Sequence, residues 1–162
     1  MKLILVLHNI RSIYNVGAIL RTAECCGVEK VIYSGYTPHL GKGLPHEQER
    51  LRAGLHKTAL GAEELVPSEF AVDIFAELDR LRDENYCVVA LEQAAGSMKL
   101  DELPDEMPEK IVMILGEEVH GIPKKLLESV DTVVEIPQKG KKESLNVSVA
   151  ASIAIWEFTK NA

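Results

Sequence analysis

The sequence predicts an α/β fold in which a parallel sheet carries helices on both faces. Short apolar runs typical of buried strands alternate with longer segments of helical periodicity along the chain. Polar and glycine-containing segments follow directly after three of these runs. Ligands of open parallel sheets bind beyond the carboxyl ends of the strands, so a functional site is expected in these three segments.

Five apolar runs are predicted to be strands. Their apolar residues are continuous rather than alternating, which is typical of parallel strands that are covered on both faces. The runs are Leu3–Leu7, Val28–Tyr33, Tyr86–Leu91, Ile111–Leu115 and Thr132–Ile136.

Four segments are predicted to be helices: Asn15–Cys26, Ala71–Asn85, Pro123–Ser129 and Ser144–Lys160. Gly27 is well placed to end the first of them. The last helix is apolar at Leu145, Val149, Ile153, Trp156 and neighbouring positions.

Three further segments lack a clear period. Thr37–Pro45 is predicted to be a loop, and Met98–Pro108 a polar connection. Leu44–Val66 is ambiguous: His46–His56 could form one or two helical turns, and Lys57–Gly61 looks irregular.

The composition indicates one globular domain without covalent or metal cross-links. The chain has 162 residues, 46% of them hydrophobic and 27% charged, and no run approaches the roughly 20 apolar residues of a membrane span. Cys25, Cys26 and Cys87 are an odd number without a repeated spacing, which argues against a disulfide framework and a zinc site. Buried thiols in a reducing cytoplasm are the expected interpretation.

The net charge of −7 argues against a large nucleic-acid footprint, because phosphate binding requires Lys and Arg. The basic residues are nevertheless locally concentrated, so a modest surface for RNA is possible. They fall in two stretches, Arg50, Arg52, His56 and Lys57, then Lys139, Lys141 and Lys142.

The first polar segment, Asn9–Ala23, follows the first strand. Asn15 is suited to cap the helix, and Gly17 permits close approach of a ligand or another backbone. Arg21 lies one to two turns further along. A helix N-terminus after a strand suits phosphate, but a capped helix with a solvated arginine would show the same pattern.

The second segment, Leu115–Pro123, interrupts an apolar strand with two glycines and two carboxylates. Gly116 would allow a ligand to lie against the chain, and Gly121 would permit a tight turn. Glu118 is expected at the carboxyl edge of the sheet, and His120 is expected to be a surface residue. An ordinary polar turn remains the alternative.

The third segment, Glu135–Ala151, joins the last strand to the last helix through a basic glycine loop. Ser144 is the expected N-cap. Asn146 and Ser148 are polar residues at the start of an apolar helix, so they require partners. Those partners could be ligand groups or other residues of an ordinary capped core.

Together these segments resemble the three motifs of the SpoU/TrmH branch of the SPOUT methyltransferases. The matching runs, in this order, are Asn15–Ala23, Leu115–Pro123, and Ile136–Pro137 with Ser144–Ala150. The resemblance extends from Leu3 to Phe158 and implies a deep trefoil knot in the C-terminal part of the chain. Knots are rare, and composition and periodicity do not predict this one.

The resemblance implies that the cofactor is S-adenosylmethionine, bent within the knot and held largely by backbone atoms. By motif, the residues around it would be Leu91, Gly116, Ile136, Ser144 and Leu145. No metal is implied, because this cofactor carries its own leaving group.

The implied reaction is methyl transfer to a ribose 2′-hydroxyl. By motif, Arg21 would be the key catalytic residue, holding an RNA phosphate and stabilising charge as the hydroxyl loses its proton. Asn15, Glu118, Ser144 and Asn146 would position the ribose or Arg21.

The resemblance further implies a homodimer with its active site near the interface and RNA as the substrate, tRNA being slightly favoured over rRNA. Residues 1–162 are expected to form a single catalytic domain without an appended RNA-binding domain, in the cytoplasm and without membrane attachment. A catalytically inactive knot module that binds RNA or nucleotides is one alternative. A dinucleotide oxidoreductase is disfavoured, because no Gly-x-Gly-x-x-Gly follows the first strand and Gly41-Lys42-Gly43 is too short for a P-loop.

Overall fold

The computed structural model describes residues 1–41, 43–104 and 106–161. Lys42 of the predicted loop, Asp105 of the predicted polar connection, and Ala162 lie outside the described residues. The strands are β1 (Lys2–His8), β2 (Lys30–Ser34), β3 (Ser68–Ala71), β4 (Cys87–Leu91), β5 (Met98–Lys99), β6 (Lys110–Leu115) and β7 (Thr132–Glu135). The helices are α1 (Ile13–Cys25), α2 (Pro45–Ala59), α3 (Ala62–Leu65), α4 (Ile74–Asp83), α5 (Lys124–Leu127) and α6 (Val147–Thr159).

These seven strands form one sheet in the order β3-β2-β1-β6-β4-β7-β5. Every pairing is parallel, and β1 lies between β2 and β6 with Leu3 opposite Ile111. The predicted parallel α/β sheet is therefore confirmed. The trefoil knot in the path of the chain stays a prediction.

Helices cover both faces of the sheet. Alternate side chains of β1 point to opposite faces, so Leu5 packs with residues of α1, α2 and α6, while Val6 packs with residues of α4 and α5. Both side chains are fully buried. This double burial explains why the central strands are continuous apolar runs in the sequence.

Two strands were not predicted, and both lie at an edge of the sheet. β3 has only four residues, of which Ser68 and Glu69 are exposed, and both residues of β5 are exposed. Such short, polar strands carry no apolar run that would reveal them. The strand β3 also moves the start of the next helix from Ala71 to Ile74, where the Asp73 carboxylate accepts hydrogen bonds from two backbone N–H groups.

Helix α2 is much longer than the one or two turns expected. It runs without interruption through Lys57, which was expected to be irregular, and ends where Leu60 adopts a left-handed conformation (φ 51°). Only Leu55 and Ala59 of this helix are buried. With so few buried positions, the apolar period that would predict a helix is weak.

The helix starts differ from prediction at two functional segments. Ser12, not Asn15, caps α1, accepting a hydrogen bond from the Asn15 backbone N–H at 3.3 Å. Asn146, not Ser144, caps α6. The Asn15 side chain is therefore free to bond with other segments, and the Asn146 side chain takes the capping position instead of Ser144.

Candidate functional site

The three polar segments meet at one edge of the sheet through hydrogen bonds between their side chains. The Nδ2 atom of Asn15 donates to Oε1 of Glu118 at 2.6 Å, and Nδ2 of Asn146 donates to Oδ1 of Asn15 at 3.2 Å. These partners are 103 and 131 positions apart in the chain. The structure thus brings Asn15, Glu118 and Asn146 into one cluster, called here the Asn15 cluster.

Asn146 performs two tasks in this cluster. Its Oδ1 accepts hydrogen bonds from the backbone N–H of Ser148 at 2.9 Å and from the Ser148 hydroxyl at 2.6 Å, while its Nδ2 donates to Asn15. The partners required by Asn146 and Ser148 are therefore found within the chain. Because the cap fixes the orientation of the amide, the donor aimed at Asn15 is held in place.

A cavity of about 340 Å³ adjoins the cluster at the carboxyl ends of β4, β6 and β7. Glu118 is part of its lining. All five residues assigned to the cofactor by resemblance line it as well: Leu91, Gly116, Ile136, Ser144 and Leu145. The structure thus places the predicted cofactor residues around this cavity together with Glu118. Asn15 and Asn146 join it through their hydrogen bonds, and Arg21 does not line it.

The lining of this cavity is strongly acidic. Five glutamates contribute to it, Glu92, Glu117, Glu118, Glu135 and Glu143, and His120 is the one basic residue of the lining. Such a lining attracts a positively charged ligand and repels phosphate. The cavity therefore suits a small cation-bearing molecule and not the RNA backbone.

Gly116 and Gly121 let the second segment fold back on itself. A Cβ atom at Gly116 would lie 2.6 Å from the backbone of Gly121 and Ile122, and one at Gly121 would lie 2.1 Å from the Glu92 carboxylate. Gly121 has a φ of +67°, as the predicted tight turn requires. Gly116 is thus needed for packing within the chain, in addition to lining the cavity.

Glu92 holds the folded-back segment in place, and it was not among the predicted site residues. Its Oε2 accepts a hydrogen bond from the Ile122 backbone N–H at 2.9 Å, and its Oε1 accepts one from Gln93. Glu92 directly follows β4. The rule that ligands lie beyond the carboxyl ends of strands could have singled it out.

His120 lies on the surface, as expected, with a side chain that is 79% exposed. Its Nδ1 donates to Oε1 of Glu117 at 2.9 Å. This hydrogen bond lowers the pKa of Glu117, and a hydrogen bond from Tyr36 and the charge of Arg11 act in the same direction. Tyr36, from the loop after β2, is a second neighbour of the site that the sequence pattern did not reveal.

Arg21 is not part of the Asn15 cluster. It is exposed on α1 and makes no hydrogen bond or ion pair within residues 1–41, 43–104 and 106–161. It follows Asn15 by six residues, about 240° of helical rotation further round, so the two side chains leave different faces of α1. The catalytic role predicted for Arg21 stays a prediction.

Helix α6 beside the cluster has two apolar faces. Ala151, Ile155 and Phe158 are buried against the sheet. Val149, Ile153 and Trp156 lie on the outer face and are exposed, with Trp156 63% exposed. Leu145, just before the helix, is also exposed. The chain thus presents an apolar surface, called here the α6 outer face, next to its candidate site.

Two possible features have no counterpart in the described part of the chain. No group of three or more His, Cys, Asp or Glu side chains there is arranged to hold a metal ion. No helix there has the length and apolar character needed to cross a membrane. All three cysteines are free, and Cys25 is exposed rather than buried as expected.

Residues 2–156 match the model of the SpoU rRNA Methylase family. The chain is 31% identical over 159 residues to mouse tRNA (guanosine(18)-2′-O)-methyltransferase TARBP1, an alignment covering 98% of this chain and 9% of that protein. It is 30% identical over 158 residues to 23S rRNA (guanosine-2′-O-)-methyltransferase RlmB of Salmonella typhi, covering 97% of this chain and 59% of that protein. The chain thus spans less than two thirds of these relatives.

Solved structures share the fold. An AdoMet-bound rRNA methyltransferase from Sinorhizobium meliloti superimposes with a TM-score of 0.76 at 25% identity, covering 96% of this chain and 55% of that one. The TrmH/SpoU tRNA modifying enzyme of A. aeolicus gives a TM-score of 0.80 at 24% identity, covering 98% and 74%. With the family match over nearly its whole length, the chain belongs to the SpoU rRNA Methylase family.

Proposed function

We propose that this chain transfers a methyl group from S-adenosylmethionine to a ribose 2′-hydroxyl of RNA. The observation that carries the proposal is the Asn15 cluster, in which three distant segments join beside an acidic cavity. The relatives named as RNA 2′-O-methyltransferases support the reaction class. A structural neighbour named as AdoMet-bound supports the cofactor.

The cavity fits this cofactor in size and charge. Its volume of about 340 Å³ is in the range of small-molecule sites. The carboxylates of the lining complement a ligand that carries a sulfonium and an ammonium group. Leu91, Gly116, Ile136, Ser144 and Leu145 would hold it, and when bound it supplies the methyl group together with its own leaving group.

The polar residues of the chain would align the ribose with this donor. A ribose hydroxyl is a poor nucleophile at neutral pH, so positioning is expected to supply much of the rate. Glu118, Asn15 and Asn146 hold one another by hydrogen bonds and would orient the ribose at the cavity mouth. Arg21 would bind an RNA phosphate and stabilise negative charge on the ribose oxygen.

The proposal includes a homodimer. Within one chain, Arg21 and Asn15 leave different faces of α1. An active site that contains both side chains would therefore combine Asn15 of one copy with Arg21 of a second copy. The α6 outer face offers an apolar surface on which a second copy can pack. We expect sedimentation to show a dimer, and Trp156→Asp to shift it towards monomer; a monomeric parent protein would contradict this part.

The substrate we favour is tRNA, because the net charge of −7 suits a compact target with few phosphate contacts. The same reaction on rRNA is the second candidate, supported by the RlmB relatives. An inactive module that binds RNA or nucleotides is the third. An RNA substrate and three free cysteines agree with the cytoplasmic location that the sequence predicts.

Two measurements test this function. Isothermal titration should show binding of S-adenosylmethionine, and its absence would contradict the methyltransferase proposal. Mapping of 2′-O-methyl groups on total RNA from cells with and without the gene should show one nucleotide, or a small set, that loses its methyl group. An unchanged map together with cofactor binding would favour the inactive module.

A further inference from the structure

A second concave surface lies between α1 and α2, outside the cofactor cavity. It has a volume of about 690 Å³ and is called here the α1–α2 groove. Its lining combines apolar, aromatic and basic side chains. The basic members are His46, Arg50 and Lys57, and the aromatic member is Tyr14.

Two glycines bring the helices that form the groove unusually close together. A Cβ atom at Gly17 of α1 would lie 2.2 Å from Thr58 Oγ1 and 2.7 Å from the Leu55 carbonyl oxygen of α2. A Cβ atom at Gly54 of α2 would lie 2.5 Å from Ile13 Cδ1 of α1. The groove is therefore a fixed feature of the packing and not a loose gap between helices.

The basic side chains of the groove share one face of α2. His46, Arg50 and Lys57 are spaced by four and seven residues, so they project within about 40° of one another. All three are exposed, and none forms an ion pair within the part of the chain that the structure describes. Glu47, the acidic member of the lining, is engaged in capping, since its carboxylate accepts a hydrogen bond from the Leu44 backbone N–H.

The other basic residues of α2 have acidic partners. Arg52 forms an ion pair with Glu64, and Nδ1 of His56 donates a hydrogen bond to Oε1 of Glu63 at 2.8 Å. Of the basic stretch noted in the sequence, Arg50 and Lys57 therefore line the groove without forming an ion pair in the described part of the chain. Together they outnumber Glu47, the carboxylate of the lining.

The α1–α2 groove is adjacent to the Asn15 cluster. Tyr14 is adjacent to Asn15, its carbonyl oxygen accepts a hydrogen bond from Thr58 of α2 at 3.0 Å, and Lys57 Nζ lies 5.9 Å from the centre of its ring. Arg21 follows Tyr14 by seven residues, so both leave the same face of α1, about 10.5 Å apart along the axis. The groove thus adjoins Asn15 through Tyr14 and lies on the same face of α1 as Arg21.

We propose that the α1–α2 groove binds the RNA strand next to the target ribose, with Arg50 and Lys57 on backbone phosphates and Tyr14 offering its half-exposed ring to a base. Cations interleaved with an aromatic side chain are the combination that single-stranded nucleic acid requires. An acidic protein segment would use the charges but not the ring. The inference rests on the proposed function in taking RNA as the substrate.

The test compares variants at exposed positions of α2. Arg50→Gln with Lys57→Gln should weaken the binding of an unmodified tRNA transcript about tenfold at 0.15 M salt. The slope of log affinity against log salt should also fall by about 1.5, the value for two lost phosphate contacts. Arg52→Gln is the matched control, because it removes a positive charge from the same helix outside the groove, and it should leave both quantities nearly unchanged.

Further readouts separate this inference from the proposed function. The double variant should raise the KM for RNA and leave kcat and the affinity for S-adenosylmethionine unchanged. If the protein methylates no RNA but the double variant still loses tRNA binding, the groove assignment stands and the proposed function fails. If methylation occurs and the double variant binds tRNA like its parent, the groove assignment is overturned.

Two controls complete the design. Circular dichroism and thermal unfolding should match the parent, because both side chains are exposed. Binding of poly-glutamate is measured in parallel. If the double variant loses poly-glutamate binding but keeps tRNA binding, the groove is a protein-docking surface and the proposal is overturned.

Discussion

The acidic cavity and the α1–α2 groove lie beside neighbouring residues of α1 but have opposite character. Asn15 turns towards the cavity, which is lined by backbone and five carboxylates. Tyr14 turns towards the groove, which is lined by a ring and three basic side chains. The net charge of −7 averages over two surfaces of opposite sign, so it does not indicate what either surface binds.

This separation suits a reaction between two differently charged partners. In the proposed function, a cationic methyl donor enters the acidic cavity and an RNA phosphate backbone follows the basic groove. Each surface attracts one partner and repels the other. The first turn of α1 is where the two partners would meet.

The largest expected effect concerns Arg21, which lies on the groove side of α1. Arg21→Ala should reduce methyl transfer by about a hundredfold or more, because it removes a charge that would stabilise the reacting oxygen. The affinity for S-adenosylmethionine, measured by titration, should be unchanged, since Arg21 does not line the cavity. Arg52→Ala is the control for loss of an arginine, and unchanged transfer by Arg21→Ala would refute its catalytic role.

An intermediate effect is expected on the cavity side. Gly116→Ala places a Cβ atom 2.6 Å from the backbone of the folded-back segment, so the cavity wall must shift. The affinity for S-adenosylmethionine should fall about tenfold, equivalent to roughly 1.4 kcal/mol, while tRNA affinity remains that of the parent.

The matched control for this change is Gly140→Ala, in the loop between β7 and α6. A Cβ atom there meets nothing within 4 Å, so cofactor affinity should not change. If Gly116→Ala binds the cofactor as tightly as Gly140→Ala does, the cavity is not the cofactor site. If it also weakens tRNA binding, the two surfaces are not independent.

The smallest expected effect is a pH dependence of stability at His8, where β1 ends. The Nε2 atom accepts a hydrogen bond from the Asn9 amide at 3.1 Å, so Nδ1 carries the hydrogen and donates to Ser34 Oγ at 2.8 Å. Burial lowers the pKa of His8 from its ordinary value of 6.5. The unfolded chain therefore binds a proton more readily than the folded protein.

The sign of this dependence follows directly. The contribution of neutral His8 is fully present above pH 6.5 and is lost as the pH falls through the lowered pKa of the folded protein. Urea unfolding between pH 7.5 and 5 should show a smaller loss of stability in His8→Gln than in the parent, because glutamine does not titrate. Parallel curves for the two proteins would show that His8 is not responsible.

The centre of the fold could be predicted from sequence because its strands are buried on both faces. β1 and β6 are continuous apolar runs, whereas the edge strands β3 and β5 are short and largely exposed and leave no comparable pattern. Helix α2 escaped full recognition for the same reason, since only Leu55 and Ala59 are buried in it.

The residues of the site could be predicted from the sequence better than the hydrogen bonds between them. Asn15, Glu118 and Asn146 could be recognised as polar residues that follow strands. Which of them form hydrogen bonds depends on the fold, because Glu118 is 103 residues from Asn15 and Asn146 is 131 residues from it. The caps show the same limit. Ser12, Asn15, Ser144 and Asn146 are all good capping residues, and only the exact helix starts at Ile13 and Val147 decide between them.

The two hydrogen-bonding roles of Asn146 make the Asn15 cluster dependent on the completed fold. Its amide oxygen caps the last helix through a local contact with Ser148, while its amide nitrogen donates to Asn15 of the first helix, 131 positions away, so this second bond forms only when the two helices have come together. No two members of the cluster are close in sequence, so each of its hydrogen bonds depends on contacts between distant parts of the chain. In the proposed function, the groups that orient the ribose would therefore be complete only in the folded chain.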